Sequence, residues 1–323
     1  MRFLLIGLSF LLGALPAYAG EAYPSKSVTI VVPYGAGNTA DVIARLLGQR
    51  LAQQMGKPFV VDNRPGASGI VGNGAVAKAA PDGYMVSFAD FTLLTAPALY
   101  KSVPWDPIKD FAPVTEVAHG AQVIAVSPDV PAKNMREFIA LAKANPGKYN
   151  YGSAGTGSGS FLATELLKRN AGIDLVHVPY KGMAEASTGL LTGDVKVLIA
   201  SVPVLNTLIT SQKIRVLGVT SDGKRLSRLP DVPSLQEQGV SGMVYYAWFG
   251  MVAPAGTPPA VLSSLQTEVA KALSDKELSE RLTSMGMDAI GSTPAQFAEL
   301  IRNERTRWGE IIRVTGSANS LTQ

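Results

Sequence analysis

Val28-Thr29-Ile30-Val31-Val32-Pro33-Tyr34-Gly35-Ala36-Gly37-Asn38-Thr39-Ala40-Asp41 is the stretch on which the fold turns. Its first five residues are almost all β-branched and apolar, the composition of a buried strand. A glycine-bearing loop follows. Val42, Ile43, Leu46, Leu47 and Leu51 then recur at helical spacing. Strand, glycine loop and helix open a βαβ unit. Gly56-Lys57-Pro58 ends the helix and Phe59-Val60-Val61 is the next strand. Residues 62–69 read as a turn-rich loop, 71–79 as a helix of small residues stopped by Pro81-Asp82-Gly83, and 84–88 as a third strand.

The same alternation continues downstream. Strands are expected at 123–126, 149–153, 175–178, 195–199 and 216–219, and helices at 135–144, 161–169, 260–273 and 294–312. This pattern predicts an α/β protein with mostly parallel sheets flanked by helices. Residues 120–127 and 242–254 read as crossings between two lobes. The second crossing holds the β-forming run Val244-Tyr245-Tyr246-Ala247-Trp248-Phe249-Gly250. Two crossings make the first lobe discontinuous, 20–123 with 244–323, and leave 124–243 as the second lobe. In such folds ligands sit where loops at strand C-termini face each other across a cleft.

Arg2 gives the chain a positive start, residues 3–15 are almost wholly apolar, and Ala17-Tyr18-Ala19 supplies small residues for cleavage. That is an export signal, 1–19, with cleavage expected after Ala19. A retained anchor is the alternative, against which the shortness of the apolar run counts. There is no cysteine, which excludes disulfides, thiolate metal sites and a lipid-modified N-terminal Cys. About 300 mature residues exceed what one core organises, so two lobes are expected. Lys+Arg 29 against Asp+Glu 25 gives a formal charge of +4, with no basic run carrying interleaved aromatics. Nucleic acid is therefore not an expected partner.

Two loops carry the chemistry. The first is Tyr34-Gly35-Ala36-Gly37-Asn38-Thr39-Ala40-Asp41, between a buried strand and a helix. Its glycines let backbone approach a ligand, and the N–H groups at the helix start attract an anion. Asn38 and Thr39 are the cap candidates. The second is Tyr151-Gly152-Ser153-Ala154-Gly155-Thr156-Gly157-Ser158-Gly159-Ser160, also leading from strand to helix. Small hydroxyls and glycine amides without any charge suit a nest of donors around a carboxylate. Each loop alone also fits an ordinary strand–helix turn; one in each lobe is what points to a shared ligand.

Enzyme motifs are missing. Gly155-Thr156-Gly157-Ser158-Gly159 is not G-x-G-x-x-G, and there is neither a P-loop nor a serine in G-x-S-x-G. His119 and His177 stand apart, without metal spacing, and read as structural. The aromatic set Phe88, Phe91, Tyr245, Trp248 and Phe249 reads as core before it reads as a ligand wall.

With those loops in place the chain resembles the Bug family of periplasmic solute receptors, the extracytoplasmic subunits of tripartite tricarboxylate transporters. The resemblance runs from about Tyr23 to Trp308. It is carried by Ile30-Val31-Val32-Pro33-Tyr34, Asp41-Val42-Ile43-Ala44-Arg45, Val61-Asp62-Asn63-Arg64-Pro65-Gly66-Ala67 and Ala77-Lys78-Ala79-Ala80-Pro81-Asp82-Gly83-Tyr84. It continues in Asn150-Tyr151-Gly152-Ser153-Ala154-Gly155, His177-Val178-Pro179-Tyr180-Lys181-Gly182, Leu229-Pro230-Asp231-Val232-Pro233-Ser234 and Ala253-Pro254-Ala255-Gly256-Thr257-Pro258.

The resemblance implies a class II periplasmic-binding fold that closes on a carboxylated solute, with the membrane subunits of the transporter as partners. Three departures stand out. The paired glycine of the first loop is Gly37-Asn38, the position often His after Ser160 is Phe161, and the common acidic position falls at Ala200. A missing acid at Ala200 counts against an amino-acid ligand, and added aromatic bulk favours an aromatic mono- or dicarboxylate. The expected ligand contacts are Tyr34, Gly35, Ala36, Gly37, Asn38, Thr39, Asp41, Ser68, Phe88, Ala89, Asp90, Ser153, Ala154, Gly155, Thr156, Gly157, Ser158 and Ser201. No catalytic residue, metal or cofactor is expected, and the chain is expected to act as a monomer. A transport receptor is the favoured reading; a periplasmic sensor handing its liganded form to a signalling partner is the alternative.

Overall fold

The computed structural model describes residues 23–318, so the export signal and its cleavage point lie outside the described residues. The opening stretch forms strand β1 (Val28–Val32) and helix α1 (Thr39–Met55). The chain continues through β2 (Phe59–Asn63), a 3-10 turn (Ala67–Gly69), α2 (Ile70–Ala77), β3 (Met85–Asp90), α3 (Thr92–Leu99) and β4 (Phe111–Ala121). A second group follows: β5 (Val123–Val126), α4 (Met135–Ala144), β6 (Asn150–Ser153), α5 (Gly159–Ala171), β7 (Val176–Pro179), α6 (Met183–Thr192), β8 (Val197–Ala200), α7 (Val202–Thr210) and β9 (Arg215–Val219). The chain returns through β10 (Tyr246–Pro254), α8 (Pro259–Leu273), α9 (Lys276–Ser284), β11 (Asp288–Ala289) and α10 (Pro294–Val314).

Among the described residues the named strands form two sheets. One has six strands in the order β11-β4-β10-β3-β1-β2, the other five in the order β7-β6-β8-β5-β9. The expectation of mostly parallel sheets holds for the βαβ strands and not for those at the crossings. β1 runs parallel to β2 and β3, and β6 runs parallel to β7 and β8. β10 is antiparallel to β3 and β4, and β5 is antiparallel to β8 and β9. A strand that arrives from the other sheet needs no helical crossover, so it pairs in the opposite sense.

Both faces of β1 are covered. Val28, Ile30 and Val32 pack with Ile43, Leu47 and Leu51 of α1 and Leu265 and Val269 of α8. Val31 faces the other way, into a cluster with Ile70, Val76 and Leu93. Each fully buried aliphatic side chain contributes about 1.5–3 kcal/mol, so the five-residue strand is anchored by its own side chains. Gly56 stops α1 in a left-handed conformation, its N–H donating to Ala52 O.

β4 and β5 are separated by Gln122 alone, so the first crossing is one residue long. Val123, expected at the end of the first lobe, pairs with Ala200 and Val219 in the five-stranded sheet. The second crossing lies beside it, because Tyr246 of β10 pairs with Ala121 of β4. Thr220, fully buried, ties the two together. Its hydroxyl accepts from Gln122 N at 2.8 Å and donates to Tyr245 O at 2.6 Å.

Helices α3, α6, α7 and α9 and strands β4 and β11 are not among the elements expected from the sequence. Proline disguised three of them. Pro97 sits inside α3, Pro203 in the first turn of α7, and Pro113 in β4 opposite Val252, where the register shifts. Pro203 at a helix start and Pro113 at a sheet irregularity stand where proline is tolerated, so α7 and β4 continue through them, while Pro97 lies within α3 itself.

Candidate functional site

In the six-stranded sheet β1, β2 and β3 run the same way, so the loops that follow them emerge at one edge. β6, β7 and β8 do the same in the five-stranded sheet. Between these two sets of loops lies a cavity of about 470 Å³. Tyr34, Asn38, Thr39, Ala40, Ser68, Asp90, Phe91, Thr92 and Phe249 line it from one side, and Ala154, Thr156, Gly157, Ser158, Gly159 and Met183 from the other.

The first loop is braced from behind. Asn38 is the N-cap of α1, its Oδ1 accepting from Asp41 N at 2.9 Å while its Nδ2 donates to Gly35 O at 2.9 Å. Asp41 is 3% exposed and does not line the cavity. Its carboxylate accepts from Gly37 N at 2.8 Å and Asn63 Nδ2 at 2.9 Å, and pairs with Arg45 at 3.0 Å. Burial works to raise its pKa, but those three partners outweigh it and hold the carboxyl below its ordinary value. Asp41 therefore shapes the loop from behind the cavity wall. Gly37 has φ +86°, a conformation only glycine adopts freely. Gly35, Ala36 and Gly37 do not line the cavity wall.

The second loop is held by its own hydroxyls. Ser158 caps α5 by accepting from Phe161 N at 3.3 Å, and Ala154 N donates to Ser160 Oγ at 3.1 Å. Ser153 is fully buried beneath the loop, its Oγ 2.7 Å from His177 Nε2, so it supports the wall without reaching the cavity. Gly155 also sits outside the lining. His177 stacks on Tyr151, with ring centroids 4.9 Å apart. Burial lowers its pKa, Glu165 pulls it up and Lys168 lowers it, and the net direction is down. Which of Ser153 and His177 donates is set by the imidazole tautomer, and the Ser153 hydroxyl also lies 3.2 Å from Gly155 O.

A third patch joins the two walls. Asp90 ends β3; its Oδ1 accepts from Thr92 N at 2.9 Å and Thr92 Oγ1 at 2.5 Å, and its Oδ2 accepts from the Tyr34 hydroxyl at 2.7 Å. Burial pushes the Asp90 carboxyl up, against those hydrogen bonds, and pushes the Tyr34 phenol well above its ordinary value. Ser68, at φ +51° on the 3-10 turn, contacts Tyr100 Oη at 2.9 Å. A non-glycine residue in that region stores backbone strain, which clusters at binding sites.

Of the expected contacts, Tyr34, Asn38, Thr39, Ser68, Asp90, Ala154, Thr156, Gly157 and Ser158 share the cavity. Phe88 and Ala89 are fully buried in β3. Phe88 stacks on Phe249 at 6.0 Å, and it is Phe249 that reaches the cavity. Ser201 caps α7 beside the strands that cross between sheets, away from the lining. Ala40, Phe91, Thr92, Gly159 and Met183 complete the wall without having been expected. Thr92 was legible in principle, as a hydroxyl two residues after an Asp at a strand end.

No Lys, Arg or His lines the cavity, and four helix starts do: α1 through Asn38 and Thr39, α3 through Phe91 and Thr92, α5 through Ser158 and Gly159, and α6 through Met183. The first-turn N–H groups of a helix have no partner within it, and its dipole places positive potential there. The cavity can hold an anion without a cationic side chain. Among the described residues no cluster of His, Cys, Asp or Glu is placed to hold a metal. A groove of about 500 Å³ between α1 and α9, edged by Arg50, Glu277 and Arg281, lies apart from these loops.

Comparison with known proteins identifies the family. Residues 43–317 match the family model described as the tripartite tricarboxylate transporter family receptor, TctC. The chain is 36% identical over 293 residues to a UPF0065 protein in the tcbD-tcbE intergenic region of Pseudomonas sp. strain P51, covering 90% of this chain and 87% of that one. It is 32% identical over 307 residues to the protein BugT of Bordetella pertussis, covering 94% of each. The structure of R. palustris Rpa4515 with adipate superposes with a TM-score of 0.78 at 34% identity, covering 92% of this chain and 99% of that one. The chain belongs to the TctC receptor family of tripartite tricarboxylate transporters, and is a solute-binding protein and not an enzyme.

Proposed function

We propose that this chain captures a small carboxylate in the cavity between its two sheets and delivers it, in the periplasm, to the membrane subunits of a tripartite tricarboxylate transporter. The observation that carries the reading is the convergence of the N-termini of α1, α5 and α6 on a cavity with no basic side chain, that of α3 being met already by the Asp90 carboxylate. Backbone amides, with the hydroxyls of Thr39, Thr156 and Ser158, are the donors available to a carboxylate. Phe91, Phe249 and Met183 offer an apolar middle, which suits an aromatic or long aliphatic acid. The moving bodies are residues 23–121 with 246–318 and residues 123–244, joined at Gln122 and near Tyr245. Gln122 is a sharper boundary than one inside β5.

A thermal-shift screen of small carboxylates against their methyl esters tests the reading. A ligand that binds only the native state raises the melting temperature by mass action. Acids are expected to shift it and esters to fail, because an ester offers the amides no ionised acceptor. Equal shifts from acid and ester would overturn it.

A further inference from the structure

The cavity has one ionisable carboxyl and no cation to balance it. Asp90 stands in the wall of the six-stranded side, beside Phe91, which approaches the start of α5 closely enough that a Cβ on Gly159 would lie 3.3 Å from its ring. The Thr92 and Tyr34 donors favour the ionised form of Asp90 against the burial that raises its pKa, and an ionised carboxylate has about four acceptor sites. Thr92 N and Thr92 Oγ1 take two on Oδ1, and the Tyr34 hydroxyl takes one on Oδ2. The Asp90 N–H also faces the carboxylate, and Oδ2, with Tyr34 as its one side-chain donor, is the oxygen with room for a ligand donor. Three donors held on the same group also fix its position, so it is a rigid reader and not a swinging side chain.

We propose that Asp90 sets the class of ligand: a carboxylate whose opposite end donates a hydrogen bond, as a hydroxyl or an ammonium group, and does not carry a second carboxylate. The inference rests on the carboxylate reading above and deepens it. One carboxylate of the ligand meets the helix starts of α1 and α5, where no charged side chain lines the wall and the buried Asp41 behind it is paired with Arg45. Its far end meets Asp90. A second carboxylate there would face a like charge with no Lys, Arg or His in the wall to screen it, and juxtaposed like charges are strongly unfavourable in a partly desolvated site. A donor there fills the open acceptor site and forms a charge-assisted hydrogen bond. This offsets the weight placed on Ala200: that position carries no acid, and Asp90 puts one in the cavity wall. It also separates this chain from the relative whose structure holds adipate, a dicarboxylate.

The test is calorimetry on two matched series: hexanoate, 6-hydroxyhexanoate, 6-aminohexanoate and adipate; and benzoate, 4-hydroxybenzoate, 4-(aminomethyl)benzoate and terephthalate. In at least one series the hydroxy or amino acid is expected to bind about tenfold or more tighter than the dicarboxylate. The hydroxy and amino arms tell a neutral donor from a cationic one. Asp90→Asn preserves shape and an acceptor for Thr92 N, and is expected to compress or invert that order, with circular dichroism as the folding control. Dicarboxylates that bind wild type as tightly as their hydroxy and amino partners in both series overturn this proposal while leaving the carboxylate reading intact. An order unchanged in folded Asp90→Asn overturns it too. Failure of every acid in both series to bind overturns the carboxylate reading, and this proposal with it.

Discussion

Ser158 does two things with one hydroxyl: it caps α5 and it lines the cavity. Ser158→Ala is therefore expected to lose both, about 0.5–2 kcal/mol of stability and about 10- to 150-fold in affinity. Thr156→Ala touches no helix cap and should lose affinity with the melting temperature unchanged. Calorimetry beside a thermal melt separates the two, and wild-type affinity in both variants would remove the second loop from the site. Gly157→Asp would bring a like charge but also strain, since Gly157 has φ +81°, so a loss of binding there reports on backbone and charge together. His177 answers to pH. Its folded pKa lies below the ordinary 6.5, so the unfolded chain binds its proton more readily. The stability it contributes is complete above 6.5 and is lost as pH falls toward the folded pKa. Melting temperatures of wild type and His177→Gln, measured from about pH 8 to about pH 5, are expected to converge as pH drops. A constant gap would show that His177 does not titrate in this range.

The start of α1 can be dissected in the same way at the level of the element. Asn38 accepts from Asp41 N and donates to Gly35 O. Asn38→Ala removes the cap and should cost about 0.5–2 kcal/mol. Asn38→Asp keeps the acceptor and favours the helix dipole, so the fold should hold, while a new negative charge enters the cavity wall and binding of a carboxylate should collapse. A thermal melt and calorimetry on the pair decide it: if Asn38→Asp binds as well as wild type, the start of α1 is not an anion site. Gly159 opens α5 for a related reason. A Cβ there would collide with the Tyr245 hydroxyl, so even alanine is expected to push the helix start away from the second crossing.

Movement belongs to the whole molecule. The two sheets are joined through Gln122 and the segment ending at Tyr245, and Thr220 bonds to both. Short, adjacent crossings of this kind allow hinge closure around a ligand. Solution scattering is expected to give a smaller radius of gyration at ligand saturation than without ligand, and no change at saturation would count against a closing receptor. Thr220→Val keeps the shape and leaves the buried Gln122 N–H without an acceptor. It is expected to cost about 1–3 kcal/mol, read as a fall in the denaturation midpoint.

Local pattern was enough for the βαβ framework. Val28–Val32, with β-branched residues facing both ways, admits only a buried strand, and the spacing of Ile43, Leu47 and Leu51 admits only a helix packed on it. The two strand–loop–helix junctions were legible for the same reason: Gly37-Asn38 and Gly157-Ser158 announce a turn and a cap in adjacent residues. Distance in the chain hid the rest. Nothing near Asp90 tells that Tyr34, 56 residues earlier, bonds to it, or that the loop after β6 faces it across a cavity. Asp41 and Asp90 are both acids beside helix starts. One is consumed by Arg45, Asn63 and Gly37, and the other opens on the ligand space; only the packing of β2 against β1 and of the second sheet against the first decides between them. A residue's type states which bonds it can make, and the tertiary structure decides which of them are left for a ligand.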